Sequence, residues 1–127
     1  MKSLLKYLYF FFFLWIFIFQ ESPAQNDKAA VEQFRRDQEL MKRSELLRVM
    51  DSAVVFMNEG KYELADQRFL YVLNNIHGVP SDLTFYFGKN SYFLGRFKQS
   101  VDWINKYIQM KGTTAQYSAE AMDILKK

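Results

Sequence analysis

The chain has 127 residues, half of them hydrophobic, with 17 basic and 14 acidic side chains, one histidine and no cysteine. Disulfide scaffolds, thiolate metal sites and cysteine-linked lipid anchors are excluded outright. The formal net charge of +3 is small and spread along the chain, unlike the clustered basic face of a nucleic-acid binder.

Lys2 and Lys6 precede an uncharged run from Tyr7 to Phe19, and Gln20 to Pro23 end it before the small Ala24. A basic start, an apolar core of about 7–15 residues and a small-residue exit form the secretory signal pattern, whereas a spanning helix needs about 20 apolar residues. Residues 1–25 are therefore expected to be a signal peptide, cleaved after Gln25 to leave an exported, periplasmic domain. Left uncleaved, the same segment would anchor the protein to the inner membrane. The Pro-Ala-Gln exit resembles many Bacteroidetes secretory signals. Without Lys2, Lys6 and Glu21 the net charge falls to +2, close to balanced.

Asn26 to Glu45 alternates positive and negative side chains, with Glu32–Arg36 and Glu39–Arg43 in the favourable i,i+4 order, each worth about 0.2–0.5 kcal/mol to a helix. Its apolar positions are sparse: Val31, Phe34, Leu40 and Met41. The pattern predicts a solvated helix that Asn26 or Asp27 can cap. No Gly or Pro separates it from the next stretch, Leu46 to Asn58, where Leu46, Val49, Met50, Ala53, Phe56 and Met57 follow the helical period. Gly60 terminates that helix. A second spans about Tyr62 to Ile76, with Leu64, Ala65, Phe69, Val72, Leu73 and Ile76 inward.

Gly78 and Pro80 impose a loop. Ser81 is expected to cap a third helix, about Asp82 to Leu94, with Leu83, Phe87 and Leu94 inward. Gly88 within it costs about 1 kcal/mol against alanine, which marks a close helix–helix approach. A fourth helix, about Phe97 to Met110, turns Val101, Ile104, Tyr107 and Ile108 inward. Thr113 or Thr114 is expected to cap a last helix, through Leu125, that closes the domain at residues 113–127. The fold class is all-α.

One internal repeat stands out. Gly60-Lys61-Tyr62-Glu63-Leu64-Ala65 returns as Gly95-Arg96-Phe97-Lys98-Gln99-Ser100, with Phe69 and Ile104 at the next equivalent apolar point. A repeat near this length is a helix pair that buries its apolar face against a neighbouring pair. The two units, within residues 46–112, resemble the tetratricopeptide repeat. At that family's small and aromatic hallmark points the first offers Ala53, Phe56, Gly60, Tyr62, Ala65 and Phe69, and the second Gly88, Ser91, Gly95, Phe97, Ser100 and Ile104. The family's early Trp or Leu is replaced by Val49 and Thr84, and its late proline by His77 and Gly112.

The resemblance implies a short solenoid of antiparallel helix pairs, with its concave groove lined by the first helix of each unit. Here those positions are Leu47, Met50, Val54, Met57 and Asn58, then Asp82, Phe85, Lys89, Tyr92 and Phe93. Met50 and Val54 stand where chaperone-binding relatives carry a carboxylate clamp, so that clamp is absent. The expected partner-binding residues are Met50, Val54, Met57, Phe85, Lys89, Tyr92 and Phe93. Such a groove suits a segment of an envelope protein, a second copy of the chain, or an apolar or carbohydrate ligand stacking on the aromatics. A flanking helix of the same chain can equally fill it.

Chemistry finds little footing. His77 is the lone histidine, beside Gly78, with no carboxylate partner in its pattern. With no cysteine, only scattered carboxylates could join it on a metal, and neither a calcium loop, a Gly-rich phosphate loop nor a Gly-x-Ser-x-Gly elbow occurs. The expectation is a binding module without cofactor, metal or catalytic residues, and without nucleic acid; a membrane enters only through an uncleaved N-terminal segment.

Overall fold

A computed structural model describes residues 23–127. The signal-peptide reading falls almost wholly outside the described residues. Those residues form five α-helices: α1 (Pro23–Asn58), α2 (Tyr62–Asn75), α3 (Ser81–Phe93), α4 (Phe97–Lys111) and α5 (Ser118–Lys126). No strand occurs among them, and none of their helices is long and apolar enough to cross a membrane. The fold class is all-α.

The chain divides into two units, Met1–Glu39 and Leu40–Lys127. In the first, the helix exposes Val31 and Phe34, and Glu32 accepts from Arg35 at 2.7 Å and Arg36 at 3.4 Å. The second holds the core. The two charged and apolar stretches of the sequence are one uninterrupted helix, as the lack of any Gly or Pro between Asn26 and Asn58 allows.

The repeated hexapeptide is a repeated turn. At the end of α1, Gly60 N–H donates to the Met57 carbonyl at 3.0 Å and Lys61 N–H to the Phe56 carbonyl at 2.9 Å. At the end of α3, Gly95 and Arg96 make the same bonds to Tyr92 and Ser91 at 3.0 and 2.9 Å. This paired arrangement needs a left-handed residue just past the helix, and the φ values of 75° at Gly60 and 72° at Gly95 supply it. Lys61 and Arg96 then share nearly one conformation, φ −87° with ψ 60° and 64°, and start α2 and α4.

Each helix after α2 packs on what precedes it. Leu46, Met50, Ala53 and Met57 of α1 join Ala65, Phe69, Val72 and Ile76 in one buried cluster that also takes in Leu83 and Phe87 of α3. Phe85, on another side of α3, joins Ile104, Tyr107, Ala121 and Ile124 in a second cluster. Gly88 faces α4: a Cβ built there would lie 2.9 Å from Ile104 Cδ1 and Cγ1 and 3.2 Å from its backbone nitrogen. The first two helix pairs are also tied by charge. Arg96 donates to the buried Asp66 at 2.7 Å and lies 3.5 Å from Glu63. The hydrogen bond to Asp66 and the attraction of its charge hold the Arg96 guanidinium above its ordinary pKa.

Several local expectations are corrected. Leu64 is 47 % exposed and Val101 40 % exposed, because each stands off the narrow stripe its helix buries. Pro80, in extended conformation, precedes α3; Ser81 is already helical and caps nothing, and its carbonyl instead accepts from the Thr84 hydroxyl at 2.6 Å. Thr113 and Thr114 are exposed in the loop before α5, which starts at Ser118 rather than beside them. There the Ser118 hydroxyl accepts from Ala115 N–H at 3.1 Å and donates to the Gly112 carbonyl at 2.7 Å, closing the loop.

Gly88→Ala should destabilise the protein by about 1–3 kcal/mol, read as a lower urea midpoint, since the new methyl meets backbone as well as side chain. Arg96→Met should cost about 2–3 kcal/mol, below the about 3–5 kcal/mol of a fully buried pair because Arg96 is partly solvated. Combined with Asp66→Asn in a double-mutant cycle, the loss should be less than the sum of the single losses.

Candidate functional site

Helix α3 carries most of the expected binding residues and is enclosed on several sides. Pro80 starts it with no amide to satisfy, and Asp82 in its first turn meets the positive end of the helix dipole. Its run of aromatics then points in different directions by helical rotation. Phe87 meets Trp103 edge-on at 5.3 Å and Phe69 at 6.2 Å, while Phe85 turns to α5.

The seven expected residues separate into three environments. Met50 and Met57 are interior, 8 % and 3 % exposed, and Val54 is half-buried beside them. Phe85 is fully buried, its ring stacked on Tyr117 at 4.5 Å and 6°. Met50, Met57 and Phe85 therefore belong to the core rather than to an open groove: their apolar area is already covered by this chain. Lys89 is half-buried, with its ammonium 2.6 Å from the Glu120 carboxylate and 6.0 Å from the Phe85 ring centre. Tyr92 lies beneath the Lys127 ammonium at 5.7 Å. Only Phe93 is open, 45 % exposed, with one face stacked on Tyr62 at 4.8 Å.

The α3–α5 seam holds Tyr117 and Glu120, which the sequence reading missed, beside Tyr107, which it turned inward. The Tyr86 hydroxyl donates to that of Tyr117 at 2.7 Å, and Tyr117 N–H donates to the Tyr107 hydroxyl at 3.1 Å. Tyr86 with Tyr117 and Lys89 with Glu120 share one sequence separation, 31 residues. That is roughly one repeat less one helical turn, a spacing that the repeat itself could have offered as a guide. Burial first, then the hydrogen bond to Tyr117 and the negative charges of Asp82 and Glu120, push the Tyr86 hydroxyl well above the usual phenol range. A phenol held protonated in this way donates a hydrogen bond and gives up its proton less readily than a solvated one. His77 stands exposed in the loop before α3, and its carbonyl accepts from Arg43 at 2.7 Å. The seam is an aromatic and ionic latch between helices, bordered by the open Phe93–Tyr62 stack.

The raised Tyr86 pKa predicts a pH dependence. Its contribution to stability is complete below the unfolded phenol value of about 10, and is lost as pH rises above it, because the unfolded chain ionises first. Tyr86→Phe should flatten the alkaline fall of the melting temperature between about pH 9 and 11, where the parent protein loses stability more steeply.

Comparison with protein-family models gives no match, and comparison with curated proteins and with solved structures gives none either.

Proposed function

We propose that this chain is an exported, periplasmic interaction module built as a short tetratricopeptide-like array, a scaffold or adaptor that holds a segment of another envelope protein. The observation that carries the reading is the turn duplicated 35 residues apart, with the same pair of hydrogen bonds and the same glycine conformation. A turn repeated at this spacing is what stacked helix pairs require, and stacked pairs serve as extended binding surfaces. In this reading α5 stands for the first helix of a third unit and completes the array. The partner segment lies along the solvent side of α1 and α3, against Val54, Lys89, Tyr92 and Phe93, with Met50, Met57 and Phe85 as the buried support beneath. No residue is given a catalytic role.

A second reading has one observation in its favour: the Phe93 ring, stacked on Tyr62, keeps a face in solvent. A carbohydrate or another flat apolar ligand could stack there directly.

A photo-crosslinking residue at position 93, introduced into the full chain in its native host, separates the two. The adaptor reading predicts a discrete cross-linked protein, whose purified form binds the chain about tenfold more weakly after Phe93→Ala, a loss of the size expected for an aromatic anchor. Saturable binding of a soluble glycan by the purified chain, lost in Phe93→Ala and with no protein cross-link, would establish the ligand reading instead.

A further inference from the structure

Six arginines occur in the chain, and four are satisfied among the described residues: Arg35 and Arg36 by Glu32, Arg43 by the carbonyls of His77 and Gly78, and Arg96 by Asp66 and Glu63. Arg48 and Arg68 donate to no protein acceptor among those residues, yet both line the same trough of about 600 Å³ between α1 and α2. Arg68 is steadied by the Phe56 ring, 5.6 Å from its guanidinium carbon. Ser44, Arg48 and Ser52 follow one another at single-turn spacing along α1, so their polar groups share one face. Met41 and Val49 add apolar wall, and Glu45 is the one acid, which leaves a surplus positive charge.

Two guanidinium groups flanked by hydroxyls supply the donor types that recognise carboxylates through paired, charge-assisted hydrogen bonds. A small-molecule pocket covers most of its ligand, whereas this trough is open to solvent, which leaves room for a larger partner. We propose that the α1–α2 trough docks an acidic segment of another protein. A carboxylate sits between Arg48 and Arg68, and a neighbouring apolar side chain rests against Met41 and Val49. The trough uses a different face of α1 from the stripe containing Met50 and Met57 and goes beyond the function proposed above, standing or falling separately from it.

The probe is a short amphipathic peptide with glutamates on one helical face and leucines on the other, titrated into the full chain and followed by the arginine side-chain Nε–Hε signals. The Arg48 and Arg68 signals should shift saturably, and Arg48→Gln or Arg68→Gln should weaken binding about tenfold, the loss expected for one charged hydrogen bond. The same peptide with glutamine for glutamate should not bind. Both arginines are exposed, so circular dichroism melts of the variants should match the parent. Absence of any saturable shift overturns the proposal, as does undiminished binding by the double variant. Inorganic phosphate binding as tightly as the peptide would also overturn it, by showing a simple anion site. Phe93→Ala should leave peptide binding unchanged, which keeps this outcome distinct from that of the adaptor reading.

Discussion

The structure depends on one helix being buried in three directions. Leu83 and Phe87 of α3 complete the core begun by α1 and α2, Phe85 begins the core shared with α5, and Gly88 lets α4 come close enough to seat Ile104. Burying one large apolar side chain contributes about 1.5–3 kcal/mol, so the three large anchors together supply a large part of a small domain's margin. A helix used in this way cannot carry charge except at its rim. Lys89 stands at that rim and is paired, while Asn90 and Ser91, fully buried, turn polar groups back to the Tyr62 and Phe87 carbonyls.

The same constraint explains the pattern of charge between the pairs. Asp66 is buried at the join and one of its oxygens has no partner among the described residues, so the Arg96 clasp on the other is what offsets its charge there. Thirty-five residues after Glu63 and Asp66 stand Lys98 and Val101, with no equivalent acid. The clasp therefore belongs to the junction between the first two pairs and is not repeated at the next, where aromatic stacking and the Lys89–Glu120 pair hold α5 instead.

Much of this was legible in the sequence, for identifiable reasons. The turns were readable because Gly60 and Gly95 answer a backbone requirement that few other residues meet, and Gly88 was readable because a mid-helix glycine needs a packing reason. Leu64 and Val101 were misread because hydrophobicity alone does not fix direction. Each lies about 100° around the helix from its buried neighbour, Ala65 or Ser100, outside a stripe only a few residues wide. The site was less legible. Periodicity turned Met50 and Met57 inward, and the resemblance assigned them with Phe85 to a groove, but nothing local announces that Tyr117 returns to stack on Phe85. The loop that brings it there is set by Ser118 bridging Ala115 and Gly112, not by the threonines that look like caps. Arg48 and Arg68 were invisible for the complementary reason: an arginine becomes informative only when the acids that might neutralise it are seen to lie elsewhere.

If α3 is the hub of the fold, its amides should be among the last to exchange. Native-state hydrogen exchange on the full chain tests this directly, since amides that open only with global unfolding report the full stability of the domain. Phe85 to Ser91 should exchange at the global limit, and α5 amides through a smaller, local opening. Exchange of α3 as fast as that of α5, with α1 and α2 remaining protected, would show that the first helix pair folds alone, and would contradict the hub.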